Sequence, residues 1–134
     1  MGDKLKFENI TAEFDAQDIN DNKILSLFSY IGILVLIPIL AAKDSKFAKF
    51  HANQGLVILL GELALAAIKF VVELILGFTI YKIVIIGTIL GMVVGLVFWV
   101  LGAALFALAI YGIICAVQGK AVKFPYFDKV TILK

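Results

Sequence analysis

The chain has 134 residues, 63% of them hydrophobic, and a formal net charge of +2 at pH 7. Soluble domains contain only ~45–50% apolar residues, so this composition excludes an ordinary soluble fold and fits one membrane domain. The small net charge and the absence of arginine argue against nucleic acid as a partner.

The first 21 residues are rich in acidic side chains and show little apolar periodicity. A secretory signal begins with a short, positively charged region, which this acidic stretch does not provide. We therefore predict that residues 1–21 form an acidic flexible tail and that residues 22–134 form the membrane domain.

The first apolar run extends from Asn22 to Ala42. At ~1.5 Å per residue, a helix of this length is about 31 Å long and crosses the ~30 Å hydrocarbon core of a bilayer. Pro38 lies inside this run and is expected to kink the helix. The sequence predicts a first transmembrane helix here.

A short basic and aromatic segment, residues 43–55, separates this run from the next. Ser45 is predicted to cap the N-terminus of a new helix. The lysines and phenylalanines of the following turn suit the headgroup layer of a membrane. The helix is expected to continue without a break through His51 and Gln54 into a second transmembrane helix.

The second apolar run carries three ionisable residues, Glu62, Lys69 and Glu73. At ~100° per residue they share one helix face with His51, and we call these four residues the polar stripe. Charges at membrane depth cost ~2.5–3.5 kcal/mol each on insertion scales, so the stripe is expected to face protein or water. Three interpretations stay open: Lys69 and Glu73 form an internal ion pair, the stripe lines a pathway, or it relays protons.

The third apolar run, residues 83–118, contains no charged side chain. As one straight helix at ~1.5 Å per residue it is about 54 Å long, so two short spans and four in all are one alternative. We favour a single long or kinked helix, because the small residues of this run would lie close to one line along the surface of a continuous helix. Glycine permits close backbone approach, and we predict packing within one chain or between two copies at these positions: Gly87, Gly91, Gly95 and Gly102.

The segment after this run is basic and aromatic. Gly119 suits the residue that ends a helix, and a following proline prevents the helix from resuming. Lysines beside aromatic rings suit an anionic membrane surface. We predict an interfacial tail that includes Lys120, Lys123, Phe124 and Pro125.

Two motifs resemble those of a known family. Residues 45–56, Ser-Lys-Phe-Ala-Lys-Phe-His-Ala-Asn-Gln-Gly-Leu, resemble the signature loop of a family of small bacterial membrane proteins of unassigned function. The signature residues are Phe50, His51, Asn53, Gln54 and Gly55. Residues 111–120, followed by Phe124 and Pro125, resemble the C-terminal signature of the same family. That family is in turn similar to the twenty-kilodalton Tic subunit of chloroplast protein import, and the resemblance implies three spans.

The distribution of lysines predicts an orientation in the cell membrane. In a three-span arrangement, the first loop and the C-terminal tail share one side and carry seven lysines, against four on the other side. Because cytoplasmic segments are enriched in lysine, the first loop and the C-terminus are predicted to be cytoplasmic. A four-span arrangement places eight lysines against three, so the bias does not decide the number of spans.

The sequence contains few of the residues and motifs that enzymes use: it has one histidine and one cysteine, and no metal-ligand cluster or phosphate-binding loop. We predict an all-α integral membrane helical bundle with no catalytic residue, metal or cofactor. The predicted function is a scaffold or translocation-related component that contacts membrane lipids and binds membrane helices, as a homo-oligomer or with other membrane proteins. The alternative is a small oligomeric channel or transporter lined by the polar stripe.

Overall fold

The computed structural model describes residues 7–124, which form an all-α bundle with one very short strand pair. The α-helices are α1 (Ala16–Leu27), α2 (Leu36–Ala41), α3 (Lys46–Phe78) and α4 (Val84–Val117). Four 3₁₀ turns cover Thr11–Glu13, Phe28–Tyr30, Gly32–Val35 and Ile80–Lys82. Strands β1 (Glu8–Asn9) and β2 (Val122–Lys123) pair antiparallel. The predicted fold class is therefore confirmed.

Helices α3 and α4 are long and apolar enough to cross a membrane, with 33 and 34 residues. Only 11% and 6% of their most apolar windows are buried inside the chain, whereas the core helix of a soluble protein is mostly buried. Their apolar surfaces therefore face outward, as in a helical membrane protein. Since α4 is unbroken, the favoured single long helix is confirmed over two short spans.

The prediction of one continuous helix from Asn22 to Ala42 is wrong. The chain instead leaves α1, makes two 3₁₀ turns and enters the short helix α2. Gly32 has φ +50°, a left-handed conformation that a right-handed helix cannot contain. Pro38 lies in the first turn of α2, where its missing N–H removes no helical hydrogen bond. The remaining apolar helical segment, 32–41, is only about 15–20 Å long at ~1.5–2.0 Å per residue.

Residues 7–21, which the sequence assigns to a flexible tail, hold regular structure. Glu8 pairs with Lys123 and Asn9 with Val122, and the Ile10 N–H donates to the Ala121 carbonyl at 2.8 Å. Helix α1 begins at residue 16, inside the predicted tail. The strand partners of residues 8–10 lie more than a hundred residues away along the chain, so no local sequence pattern predicts these contacts.

The described residues divide into two compact units, residues 7–59 with 107–124 and residues 60–106. Among the described residues of the first unit, the largest fully buried side chains include Phe47, His51 and Phe124. In the second unit, a Cβ added at Gly61 would lie 3.5 Å from the Leu105 side chain, an ordinary van der Waals distance. The buried polar residues of the described chain, Ser26, Ser29, Ser45, His51 and Gln54, all lie in the first unit, which therefore holds the candidate site.

Candidate functional site

The start of α3 brings the first signature residues together. Ser45 caps the helix as predicted, since its hydroxyl oxygen accepts the Ala48 N–H at 3.0 Å. The helix then runs unbroken through His51 and Gln54, as the sequence predicts. The residues of the signature loop thus lie in the first turns of a helix, with His51 and Gln54 one turn apart on the same face.

His51 is completely buried and uses both ring nitrogens. Its Nε2 atom lies 2.9 Å from the carbonyl oxygen of Lys120, and its Nδ1 atom lies 2.6 Å from the hydroxyl of Tyr30. A carbonyl only accepts hydrogen bonds, so Nε2 carries a proton. Because complete burial disfavours the charged imidazolium, Nδ1 carries none and accepts from the Tyr30 hydroxyl. His51 is therefore held as a neutral imidazole of one tautomer.

Gln54 extends this network to the end of the described chain. Its Nε2 atom donates to the Tyr30 hydroxyl oxygen at 3.0 Å, and its Oε1 atom accepts the Phe124 N–H at 2.8 Å. An unbroken chain of hydrogen bonds thus joins the backbone at residue 120 to the backbone at residue 124. We call Tyr30, His51 and Gln54, with these two backbone groups, the polar clasp.

Two glycines let the elements of the clasp approach each other. A Cβ added at Gly55 would lie 1.8 Å from the carbonyl oxygen of Ser29, so any side chain there would force the backbones apart. A Cβ added at Gly112 would lie 2.4 Å from ring carbons of Tyr30. Gly55 belongs to the predicted signature loop. Gly112 was not among the packing glycines predicted for the third apolar run, although it lies in the C-terminal motif, residues 111–120.

A carboxylate outside the predicted site ties α1 to the start of α3. One oxygen of Asp18 accepts the Phe47 N–H at 3.1 Å, and the other accepts the Ser45 hydroxyl at 2.5 Å and the Asn22 amide at 2.9 Å. Burial alone would raise the pKa of Asp18, but these hydrogen bonds outweigh it and hold that pKa below its ordinary value. In the sequence, Asp18 is only one of several acidic residues of the predicted tail, and nothing there indicates this role.

The described part of the predicted interfacial tail packs into the protein. Phe124 is 1% exposed and stacks on Tyr111, with ring centroids 6.0 Å apart. Lys120 contributes its carbonyl to the clasp, and Lys123 lies in β2. Gly119 ends α4 as predicted, with φ +73° and paired hydrogen bonds back to the last turn. Pro125 lies outside the described residues.

The members of the polar stripe all belong to α3 but have different surroundings. His51 belongs to the buried clasp, whereas Glu62 is exposed and has no ion pair within residues 7–124. Lys69 Nζ lies 3.8 Å from Glu73 Oε1, with side chains 47% and 35% exposed. The pair that the sequence suggests is therefore present, but the chain itself does not enclose it.

The predicted glycine positions of α4 have different surroundings. A Cβ added at Gly87 would lie 2.8 Å from the Cα of Tyr81, so this glycine permits a close turn. At Gly91 and Gly102 the nearest atoms are at ordinary distances, 3.8 Å and 3.9 Å. At Gly95 nothing lies within 4 Å. The packing that this chain itself provides at the four positions is therefore concentrated at Gly87.

The chain has short similarities to two magnetosome proteins. It is 44% identical over 46 residues to Magnetosome protein MmsF of Paramagnetospirillum magneticum, a match that covers 34% of this chain and 43% of the relative. It is 50% identical over 30 residues to Magnetosome protein MamF of the same organism and of Magnetospirillum gryphiswaldense, over 22% of this chain and 27% of each relative. The chain thus spans less than half the length of the curated relatives it matches.

No protein-family model matches the chain, and no solved structure matches it. The likeness to the bacterial family and to the Tic subunit therefore stays a prediction. Within residues 7–124 there is no group of three histidine, cysteine or acidic residues that could hold a metal ion. The apolar helices α3 and α4, together with the short similarities, are compatible with a non-enzymatic component of a membrane.

Proposed function

We propose that this protein is a non-enzymatic integral membrane component that binds other membrane helices through the exposed charges of α3. The observation that carries the proposal is that Glu62 and Lys69 are exposed and the Glu73 side chain is 35% exposed. These three are the acidic and lysine residues of α3 beyond its first turn, residues 50–78. A charge facing lipid tails is costly, and at bundle interfaces such residues pair with groups on neighbouring helices.

The geometry of the Lys69–Glu73 pair favours a further partner. At 3.8 Å the two groups offset part of each other's charge, but more than a third of each side chain remains uncovered. Glu62 has no ion pair within the described residues and therefore requires a donor from elsewhere. A second copy or another membrane protein supplies such donors. The finer role in protein translocation rests on the resemblance to the Tic subunit alone.

The proposal includes an arrangement in the membrane that differs from three spans. Three contacts bring the described termini and the first loop together: the β1–β2 pairing, the bond from His51 to Lys120, and the bond from Ser45 to Asp18. Because residues 19–44 start and finish beside each other, they return to the side on which they began. We therefore propose two spans, α3 and α4.

The lysine distribution supports this two-span arrangement. The chain before α3, the first turn of α3 and the chain after α4 carry ten lysines, whereas the connection between α3 and α4 carries one. The ratio of ten lysines to one is a stronger bias than the ratio of seven to four that a three-span arrangement gives. Under the rule that lysine-rich segments stay inside, both described ends and the first loop are cytoplasmic.

Cysteine cross-linking in native membranes tests the binding of helices. In a background with Cys115 replaced by serine, we expect Ala66→Cys, beside Glu62 on the charged face, to form cross-linked products on mild oxidation. Ala64→Cys lies on the opposite face and is the matched control, for which we expect none. Equal cross-linking at the two positions, or none at either, would contradict the proposed interface.

The same exposed charges support a second candidate, an oligomeric channel that the stripe lines. A channel requires conduction across a planar bilayer, and Glu62→Gln should change its ion selectivity while the oligomer persists. A scaffold shows no conduction, and Glu62→Gln weakens its cross-linking instead. The two candidates therefore give opposite results in one pair of measurements.

A further inference from the structure

Glu62 is the central residue of α3, which extends from residue 46 to residue 78. At ~1.5 Å per residue it lies about 24 Å from either end of the helix. In the proposed two-span arrangement this distance exceeds half of the ~30 Å hydrocarbon core, so the carboxylate lies at membrane depth. Lys69 and Glu73 lie nearer the far end of α3 and are 3.8 Å from each other. Glu62 is therefore the charge of α3 that most needs a partner within the membrane.

The position of Glu62 on α3 leaves it open to a third helix. The preceding residue, Gly61, faces α4, since a Cβ added there would lie 3.5 Å from the Leu105 side chain. At ~100° per residue, Glu62 lies about 100° around the helix from this contact, on its flank. Glu62 is exposed there, and the small, exposed Ala66 follows one turn later. Small residues permit close approach of membrane helices, so another helix can pack against α3 at this point.

The charges of the two spans determine which kind of helix fits. Beyond the first turn of α3, residues 50–78 carry two carboxylates and one ammonium group, and α4 carries no charged side chain. A second copy in a parallel two-fold pair would place Glu62 opposite its own equivalent. Lys69 of that copy would lie about 10 Å further along the helix, at ~1.5 Å per residue, and beside its own Glu73. A second copy therefore adds acid where a basic group is needed.

We propose that Glu62 binds a transmembrane helix of another protein through a lysine or arginine at mid-membrane depth. The inference rests on the proposed function and names the chemistry of the partner. An ammonium or guanidinium group would pair with the carboxylate of Glu62, and the pairing would lower the cost of both charges in the membrane. A helix with an amide or a carboxylate at the same depth gains less, so charge decides which helices bind.

Energy transfer in phosphatidylcholine vesicles tests this with synthetic single-span peptides. The peptides are rich in leucine and alanine and differ in one central residue, which is lysine, glutamine or glutamate. The full chain carries a donor dye at Gln118→Cys, in a background with Cys115 replaced by serine, and each peptide carries an acceptor at its terminus. We expect the lysine peptide to bind roughly tenfold more tightly than the glutamine peptide, within the range that polar groups contribute between membrane helices. The glutamate peptide should bind most weakly.

Three variants separate a contact at Glu62 from a general effect of charge. Glu62→Gln should remove the preference for the lysine peptide. Glu62→Gln combined with Ala64→Glu keeps the number of carboxylates at nearly the same depth but moves one to the opposite face, and it should not restore the preference. Glu62→Lys should prefer the glutamate peptide, and this gain of binding shows that a substitution at this position leaves the chain folded.

Equal binding of the lysine and glutamine peptides by the unmodified chain would overturn the inference, as would a preference that Glu62→Gln retains. Energy transfer between two labelled copies of the chain that Glu62→Gln weakens would also overturn it, since the occupant would then be a second copy. Cross-linking of Ala66→Cys in native membranes distinguishes these failures from failure of the proposed function. If that cross-linking persists, the proposed function stands without a basic partner, whereas its absence overturns the proposed function itself.

Discussion

At the scale of single residues, the polar groups of the first unit are used to join segments that are distant in sequence. The side chains of the polar clasp form hydrogen bonds with one another and with two backbone groups. Asp18, which belongs to α1, accepts a backbone N–H at the start of α3 and so caps that helix. A buried network that is completely paired fixes one arrangement, whereas one lost member leaves its partners without hydrogen bonds. The clasp is therefore sensitive to very small changes.

Removal of one oxygen from the clasp tests this directly. Tyr30→Phe leaves His51 Nδ1 and Gln54 Nε2 without the hydroxyl that both use. Unsatisfied buried groups cost ~1–3 kcal/mol each, so we expect the free energy of unfolding in a detergent titration to fall by at least ~1 kcal/mol. Tyr111→Phe removes the same oxygen from a ring that is 38% exposed and does not belong to the clasp, and it should lower the free energy of unfolding less. Equal effects of the two variants would show that the clasp does not stabilise the fold.

The carboxylate of Asp18 gives stability a dependence on pH. Because hydrogen bonds hold its pKa below the ordinary 3.8, the ionised form stabilises the folded state. That stability is fully present above the ordinary pKa and is lost as the pH falls through the lower, folded-state pKa. Thermal unfolding from pH 7 downward should show a drop below about pH 4.

Asp18→Asn should lower the melting temperature at neutral pH and flatten its dependence on acid. Asp21→Asn is the matched control, because Asp21 is exposed one turn further along α1. The same acid-dependent drop in Asp18→Asn as in the unmodified protein would contradict the assignment.

At the scale of elements, the sequence predicts those features whose signals are local. Three such features were predicted correctly, each from residues that are neighbours in the chain. They are the serine cap before α3, the glycine that ends α4, and the two long apolar helices. The first apolar run was predicted wrongly because length and hydropathy contain no information on one backbone angle at Gly32. Nor do they reveal a hydrogen-bond network that is completed by Phe124, seventy residues after Gln54. Gly112 and Asp18 were missed for the same reason, since their partners are distant in sequence.

Gly32→Ala tests whether residues 22–42 form one continuous helix or the observed series of shorter helices. The two cases predict changes of opposite sign in the free energy of unfolding. Nothing lies within 4 Å of an added Cβ, so the change tests only the backbone angle. At φ +50° alanine is strained, and we expect a loss of about 1 kcal/mol in the free energy of unfolding. In a continuous helix the same change would stabilise by ~0.5–1 kcal/mol. Gly77→Ala, in helix α3 with equally open space, is the control for such a gain.

At the scale of the whole molecule, the chain is proposed to cross the membrane twice and to hold its described ends and first loop on one side. The contacts that support this are the strand pairing, the polar clasp and the cap from Asp18. The exposed charges of α3 are proposed to pair with groups of a partner within the membrane.

Labelling of single cysteines with a membrane-impermeant maleimide tests the two-span arrangement most directly. The cysteines are introduced one at a time at three exposed positions, in a background with Cys115 replaced by serine. The three variants are Ala12→Cys, Asp44→Cys and Gln118→Cys. We expect all three to react in inverted membrane vesicles and none to react in intact cells, because two spans keep these segments on the cytoplasmic side. Reaction of Ala12→Cys in intact cells, with Gln118→Cys protected there, would restore three spans and contradict the account.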